Sequence, residues 1–85
     1  MCIRDRLIAC GQLVGPIMSA YHWEGKIEQS EEYLGLLKTT QSAYSALQNR
    51  IVELHPYEVP EIIATELVNG YDPYLQWIKK EVKHL

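Results

Sequence analysis

The stretch Leu36-Leu37-Lys38-Thr39-Thr40-Gln41-Ser42-Ala43-Tyr44-Ser45-Ala46-Leu47-Gln48-Asn49-Arg50-Ile51-Val52-Glu53-Leu54-His55-Pro56 is where the apolar residues change period. Up to Lys38 the run Tyr33-Leu34-Gly35-Leu36-Leu37 is short, apolar and flanked by polar residues, the pattern of a buried strand. From Thr40 onward, Tyr44, Leu47, Ile51 and Leu54 recur at three- and four-residue spacing and share one face of a helix. Thr39 or Thr40 can cap that helix with a side-chain oxygen on an orphan amide. Pro56 stops it, because the residue before a proline is pushed out of the α region.

Toward the N-terminus, residues 12–23 read as a strand. Ile17, Ser19, Tyr21 and Trp23 fall on one face, and Met18, Ala20 and His22 on the other. Neither face is strongly polar, so much of both sides is expected to be covered. Gly15-Pro16 marks a bend or bulge, since proline cannot donate to a ladder. Glu24-Gly25-Lys26 is a turn, which makes the two strands a hairpin.

Toward the C-terminus, His55-Pro56-Tyr57-Glu58-Val59-Pro60 is an ordered loop with two prolines. Glu61-Ile62-Ile63-Ala64-Thr65-Glu66-Leu67-Val68 is rich in β-branched residues and reads as a strand, closed by the turn signal Asn69-Gly70. Asp72-Pro73 opens a second helix, Asp72 as its N-cap and Pro73 at its first position. Leu75, Ile78 and Val82 form its stripe, with Tyr74 and Trp77 beside it. Lys79, Lys80 and Lys83 stand where cations offset the helix dipole. The expected order is β-β-α-β-α, an α+β sandwich with helices on one face of the sheet.

Composition bounds the function. Eighty-five residues allow one small domain, whose core is marginal alone because it buries only about 60% of its unfolded surface. The chain therefore gains from oligomerising. No window approaches the roughly 18 unbroken apolar residues of a membrane span. A net charge of −3 argues against nucleic acid as a partner. Cys2 and Cys10 form neither a disulfide framework nor a CxxC pair, which points to a reducing, cytoplasmic setting.

Chemistry-bearing residues are sparse. His22, His55 and His84 are far apart and preform no HxxxH site. His22 is ordinarily a strand-face histidine and His84 a solvated tail, whereas His55 stands at a helix end beside a rigid loop, with Glu58 and Glu61 near in sequence. Glu28, Glu31 and Glu32 cluster on the hairpin, as solvated rims do. Cys10 has no local signature that activates a thiol. No nucleophile elbow or phosphate loop occurs. All eight aromatics are Tyr or Trp (6 and 2, with no Phe), so each carries a polar edge suited to pockets and interfaces as well as to core packing.

Four blocks carry a resemblance. Tyr21-His22-Trp23-Glu24-Gly25-Lys26-Ile27-Glu28, then Leu36-Leu37-Lys38-Thr39-Thr40, then Glu53-Leu54-His55-Pro56-Tyr57-Glu58-Val59-Pro60-Glu61-Ile62-Ile63, then Tyr74-Leu75-Gln76-Trp77-Ile78 resemble, in order and spacing, the CutA divalent-cation tolerance family. The likeness covers nearly everything from Leu7 onward. It implies a ferredoxin-like (βαββαβ) fold lacking its first strand and most of its first helix, and a cytoplasmic homotrimer with PII-type sheet extension. It implies tolerance of copper and other divalent cations rather than catalysis.

By position, Trp23, Lys38, His55, Pro56, Tyr57, Glu61 and Trp77 match the family's signature and are the expected ligand cleft. His55, Glu32 and Cys10 are the expected metal contacts. Imidazole and carboxylate suit copper(II), and the thiol suits copper(I). The family's Pro-Gly is reversed here as Gly15-Pro16. Residues 1–6 do not resemble its helix and read as a non-native leader, leaving 7–85 as a single domain incomplete at its N-terminus. The alternative is a PII-like regulatory trimer that binds an anionic metabolite near Lys38 and signals to a protein partner. A hydrolase using His55 and Glu61 is the remaining reading.

Overall fold

The computed structural model describes residues 3–84. The first two residues of the expected leader, Cys2 among them, lie outside the described residues. At the centre is a long antiparallel hairpin of β1 (Cys10–Trp23) and β2 (Lys26–Lys38). Glu24 and Gly25 both have positive φ, 49° and 77°, the geometry of a two-residue turn whose twist matches a right-twisted hairpin. Gly25 enters that region without steric cost, and Trp23 pairs with Lys26 directly across it.

β2 begins at Lys26, well before the expected Tyr33. Its first half is polar on both faces, so no hydrophobic alternation reveals it. Turn geometry and the ladder to β1 hold it as a strand nonetheless.

The Gly15-Pro16 bend is a bulge, with a cis peptide bond. Val14 pairs with Leu34 and Ile17 with Glu32, so three steps on β1 match two on β2. The extra residue resets the parity, placing Val14 on the same face as Ile17, Tyr21 and Trp23.

A 3-10 turn (Gln41–Ala43) leads into α1 (Tyr44–Leu54). Thr40 occupies the cap position, but its hydroxyl meets the Ser42 hydroxyl at 3.2 Å and bonds no backbone amide. Thr39 donates instead to the Leu7 carbonyl at 2.6 Å, tying the approach to β1 to the end of β2. The helix ends at His55, whose backbone is extended and whose N–H still reaches the Ile51 carbonyl.

α2 (Asp72–Glu81) is capped by Tyr71, not by Asp72. Asp72 is the first helical residue and Pro73 the second, because the Tyr71 carbonyl accepts the amides of both Tyr74 and Leu75. Asp72 still acts favourably there, as a carboxylate at the positive end of the helix dipole.

The expected strand at residues 61–68 is not formed. The segment runs without helix or ladder from His55 to Tyr71. β-branched residues fit a pleated, half-covered surface but cannot supply the neighbouring backbone that a strand needs. Among the described residues of the single chain no strand edge pairs with 61–68, so the order is β-β-α-α.

The expected coverage of the hairpin fails in the same way. Apart from half-buried Cys10 and Ser19, β1 is exposed along its length, and Tyr33, Leu34, Leu36 and Leu37 are exposed on β2. Burial is confined to the hairpin base. Leu7, Ile8 and Leu47 form one cluster, with Ala46 and Ile51 against it. Ala43, Ile78 and Val82 form the other, with Ala9 against it.

α2 is held at its C-terminal end by a residue that no local pattern indicates. Arg6 donates from Nε to the Glu81 carbonyl (3.0 Å) and from Nη2 to the Lys80 carbonyl (2.8 Å). The Arg6 carbonyl accepts the Lys83 amide in return. A guanidinium there satisfies orphan carbonyls and opposes the negative end of the dipole.

Candidate functional site

His55 is placed by the end of α1 and by the prolines that follow. Pro56 has no N–H and fixes its own φ, so the backbone doubles back and presents the Tyr57 amide to the ring it has just left. That amide donates to His55 Nδ1 at 3.1 Å, and the Tyr57 ring tilts against the imidazole with centroids 4.7 Å apart. Because Nδ1 accepts, the proton of the neutral ring lies on Nε2.

The half-buried imidazole and the exposed Tyr57 line a cleft of about 250 Å³ with Glu31, Glu32, Tyr33 and Pro56. Glu31, Glu32 and Tyr33 are consecutive on β2 and alternate faces, so the cleft straddles the edge of that strand. Two carboxylates, an imidazole and two phenol rings give the cleft donors of the kind a cation takes. Among the described residues no group of three His, Cys, Asp or Glu converges tightly enough to hold a metal alone. His55 and Glu32 offer two donors, so a cation held there would need further ones.

The imidazole imposes a condition on any cation. Binding through Nδ1 displaces the Tyr57 amide directly. Binding through Nε2 needs the ring proton to move to Nδ1, which then can no longer accept. Either route breaks the Tyr57–His55 bond.

The expected cleft residues do not gather in one place. Trp23, Glu32, Lys38, His55, Tyr57 and Glu61 lie along one broad, open groove between the hairpin and the loop after α1. Trp23 and Lys38 sit at its opposite ends, about 40 Å apart along the hairpin at ~3.4 Å per residue. Lys38 donates to Gln12 Oε1 at 3.4 Å at the hairpin base. No hydrogen bond joins His55 to Glu61.

Trp77 and Cys10 lie outside the groove. Trp77 stacks on Tyr74, centroids 5.8 Å apart. Cys10 Sγ lies 3.8 Å from the Tyr74 hydroxyl. Glu32 is six ladder positions from Lys38, the partner of Cys10, and so about 20 Å from the thiol, too far to share a cation with it. The residues missed by sequence reasoning are Glu31 and Tyr33, an acid set aside as rim and an aromatic assigned to a buried strand. The Tyr next to two glutamates was the available signal.

The hydrogen bond with Cys10 pushes the Tyr74 phenol above its ordinary range, with burial and the thiolate charge acting in the same direction. Cys10→Ala should therefore return the Tyr74 ionisation toward the ordinary tyrosine value. Ultraviolet titration of phenolate formation checks this, and an unchanged curve would mean the thiol does not reach the hydroxyl in solution.

Comparison with known proteins gives consistent findings. The family model for the CutA1 divalent ion tolerance protein matches residues 1–81. Protein CutA of Homo sapiens is 44% identical over 78 residues, which cover 92% of this chain and 44% of the human protein. Divalent-cation tolerance protein CutA of Thermus thermophilus is 40% identical over 78 residues, covering 92% of this chain and 76% of that protein. The solved structure of the divalent cation tolerance protein from Thermus thermophilus superposes with a TM-score of 0.93 at 38% identity, over 96% of this chain and 80% of that one. The family model and both Thermus thermophilus names describe tolerance of divalent ions or cations. No helix among the described residues is long and apolar enough to cross a membrane.

Proposed function

The chain belongs to the CutA1 divalent ion tolerance protein family, and from that premise we propose that it is not an enzyme but serves divalent metal tolerance by binding a cation at clefts between the subunits of a cytoplasmic homotrimer. The observation that carries this reading is the shared cleft of His55, Glu31 and Glu32 at the edge of β2. Copper(II) is the favoured cation, because imidazole and carboxylate together suit it. The Tyr33 and Tyr57 rings and Pro56 wall the site, and Glu61 lies along the same open groove, whereas Trp23, Lys38 and Trp77 stand away from the site in one subunit.

Two features support assembly. The hairpin face bearing Val14, Ile17, Tyr21, Leu34 and Leu36 carries a run of exposed apolar side chains, interrupted by Glu32 and Glu28, that is uncovered in one subunit. The β2 edge and the unladdered, β-branched residues 61–68 both have backbone groups free for a partner strand. Joined across subunits they would extend the sheet in the ferredoxin-like manner and enclose the cleft. A neighbouring subunit would then complete the cation's donor set. Cys10, distant within one subunit, is kept as a copper(I) contact only in that assembled setting.

Copper(II) titration of the whole protein and of His55→Ala tests the proposal. The variant is expected to bind at least about tenfold more weakly, on the scale seen when even the supports of a metal ligand are lost. Equal affinity in both proteins would remove His55 from the site.

A further inference from the structure

Asn69-Gly70 is read from sequence as a turn, but the structure gives it another chemical property. Asn69 is exposed, and neither its carboxamide nor the Gly70 amide bonds to any described residue. The dipeptide sits in irregular backbone immediately before α2, outside any ladder or helix. Gly70 has no Cβ to shield its nitrogen. A Cβ built there would come within 2.9 Å of Leu75 Cδ2, so this position keeps a small residue for packing reasons.

We infer that Asn69 is a site of spontaneous, self-catalysed deamidation, with the Gly70 backbone nitrogen as nucleophile and water as co-reactant. Hydroxide removes the Gly70 amide proton, and the nitrogen attacks Asn69 Cγ. The new N–Cγ bond closes a five-membered succinimide while the bond from Cγ to the carboxamide nitrogen breaks and ammonia leaves. Water then opens the ring at one of its two carbonyls. Breaking the N–Cγ bond yields aspartate with the original backbone. Breaking the original peptide bond yields isoaspartate, with the backbone routed through Cβ and Cγ. Either product adds one carboxylate to a protein whose net charge is −3. That charge appears just before the N-terminus of α2, where it favours the helix dipole. The isoaspartyl product also lengthens the backbone beside the Gly70–Leu75 contact.

An internal control is present. Asn49, the other asparagine, is also exposed but lies inside α1. There the following amide is committed to the helix ladder, and the backbone cannot bend toward Cγ. Exposure therefore does not distinguish the two residues, whereas backbone freedom and the following residue, Gly70 against Arg50, do.

The test is peptide mapping by mass spectrometry of the intact protein aged at mildly alkaline pH. Asn69 is expected to convert, with isoaspartate in excess, while Asn49 stays an amide. Asn69→Gln should stay an amide at this position, because its longer side chain disfavours ring closure. Gly70→Ala should react roughly tenfold more slowly, since a Cβ screens the nitrogen and restricts the backbone. A synthetic peptide spanning residues 66–74 provides the unfolded rate. Retention of Asn69 in the protein while that peptide converts would overturn the inference, and so would conversion of Asn49 at the same rate as Asn69.

Discussion

Ile78→Ala should destabilise the protein by about 2–5 kcal/mol, a large share of what so small a domain possesses. Ile78 is 4% exposed and packs with Ala43 (0%) and Val82 (1%), the cluster that joins α2 to the start of α1. Little else anchors α2: the Arg6 hydrogen bonds at one end and the Cys10–Tyr74 contact along its side. Losing the Ile78 side chain removes its transfer free energy and leaves a cavity that alanine neighbours cannot refill. Denaturant unfolding followed by circular dichroism at fixed protein concentration measures the effect. Val52→Ala, at an exposed residue of α1 away from the proposed subunit contacts, is the control and should change stability by less than about 0.5 kcal/mol. Comparable losses in the two variants would place the core elsewhere.

On the proposed assembly, Leu34→Glu should convert trimers into single subunits. Leu34 is 47% exposed and pairs with Val14 at the centre of the uncovered face. Two residues away on the same face stands Glu32, so the new carboxylate would meet both an apolar partner surface and a like charge. Burying such an unpaired charge costs several kcal/mol per ion, more than one apolar contact can offset. Sedimentation should give a mass near three times 9.8 kDa for the parent protein and near 9.8 kDa for the variant. An unchanged mass would show that this face is not where subunits meet.

Local patterns carried much of the fold. The helix from residue 44, the turn at Gly25, the bulge at Gly15-Pro16 and the α2 stripe through Ile78 and Val82 all follow from spacing, proline and glycine. What was not legible depends on partners distant in sequence. Residues 61–68 have the composition of a strand, but among the described residues no strand pairs with them. The first half of β2 has the ladder but no alternation to announce it. Asp72 looks like a cap by type, yet the backbone of Tyr71 takes that place. Arg6 holds the end of α2 across 75 positions, which no window of sequence reveals.

The site divides along the same line. His55 stood out because a helix end and two prolines fix it locally. Its grouping with Glu31, Glu32 and Tyr33 depends on where the loop after α1 meets β2. The dispersal of Trp23, Lys38, Trp77 and Cys10 follows from the length of the hairpin, along which neighbouring blocks of sequence end far apart.

Nitrogen NMR of the His55 ring during titration with zinc, a diamagnetic divalent cation, tests most directly whether His55 holds the metal. The expected result is a large shift of the His55 ring nitrogens at saturation, together with loss of the Tyr57 amide hydrogen bond to Nδ1 and faster exchange of that amide. A saturated protein whose His55 nitrogens and Tyr57 amide are unmoved would contradict cation binding at this site.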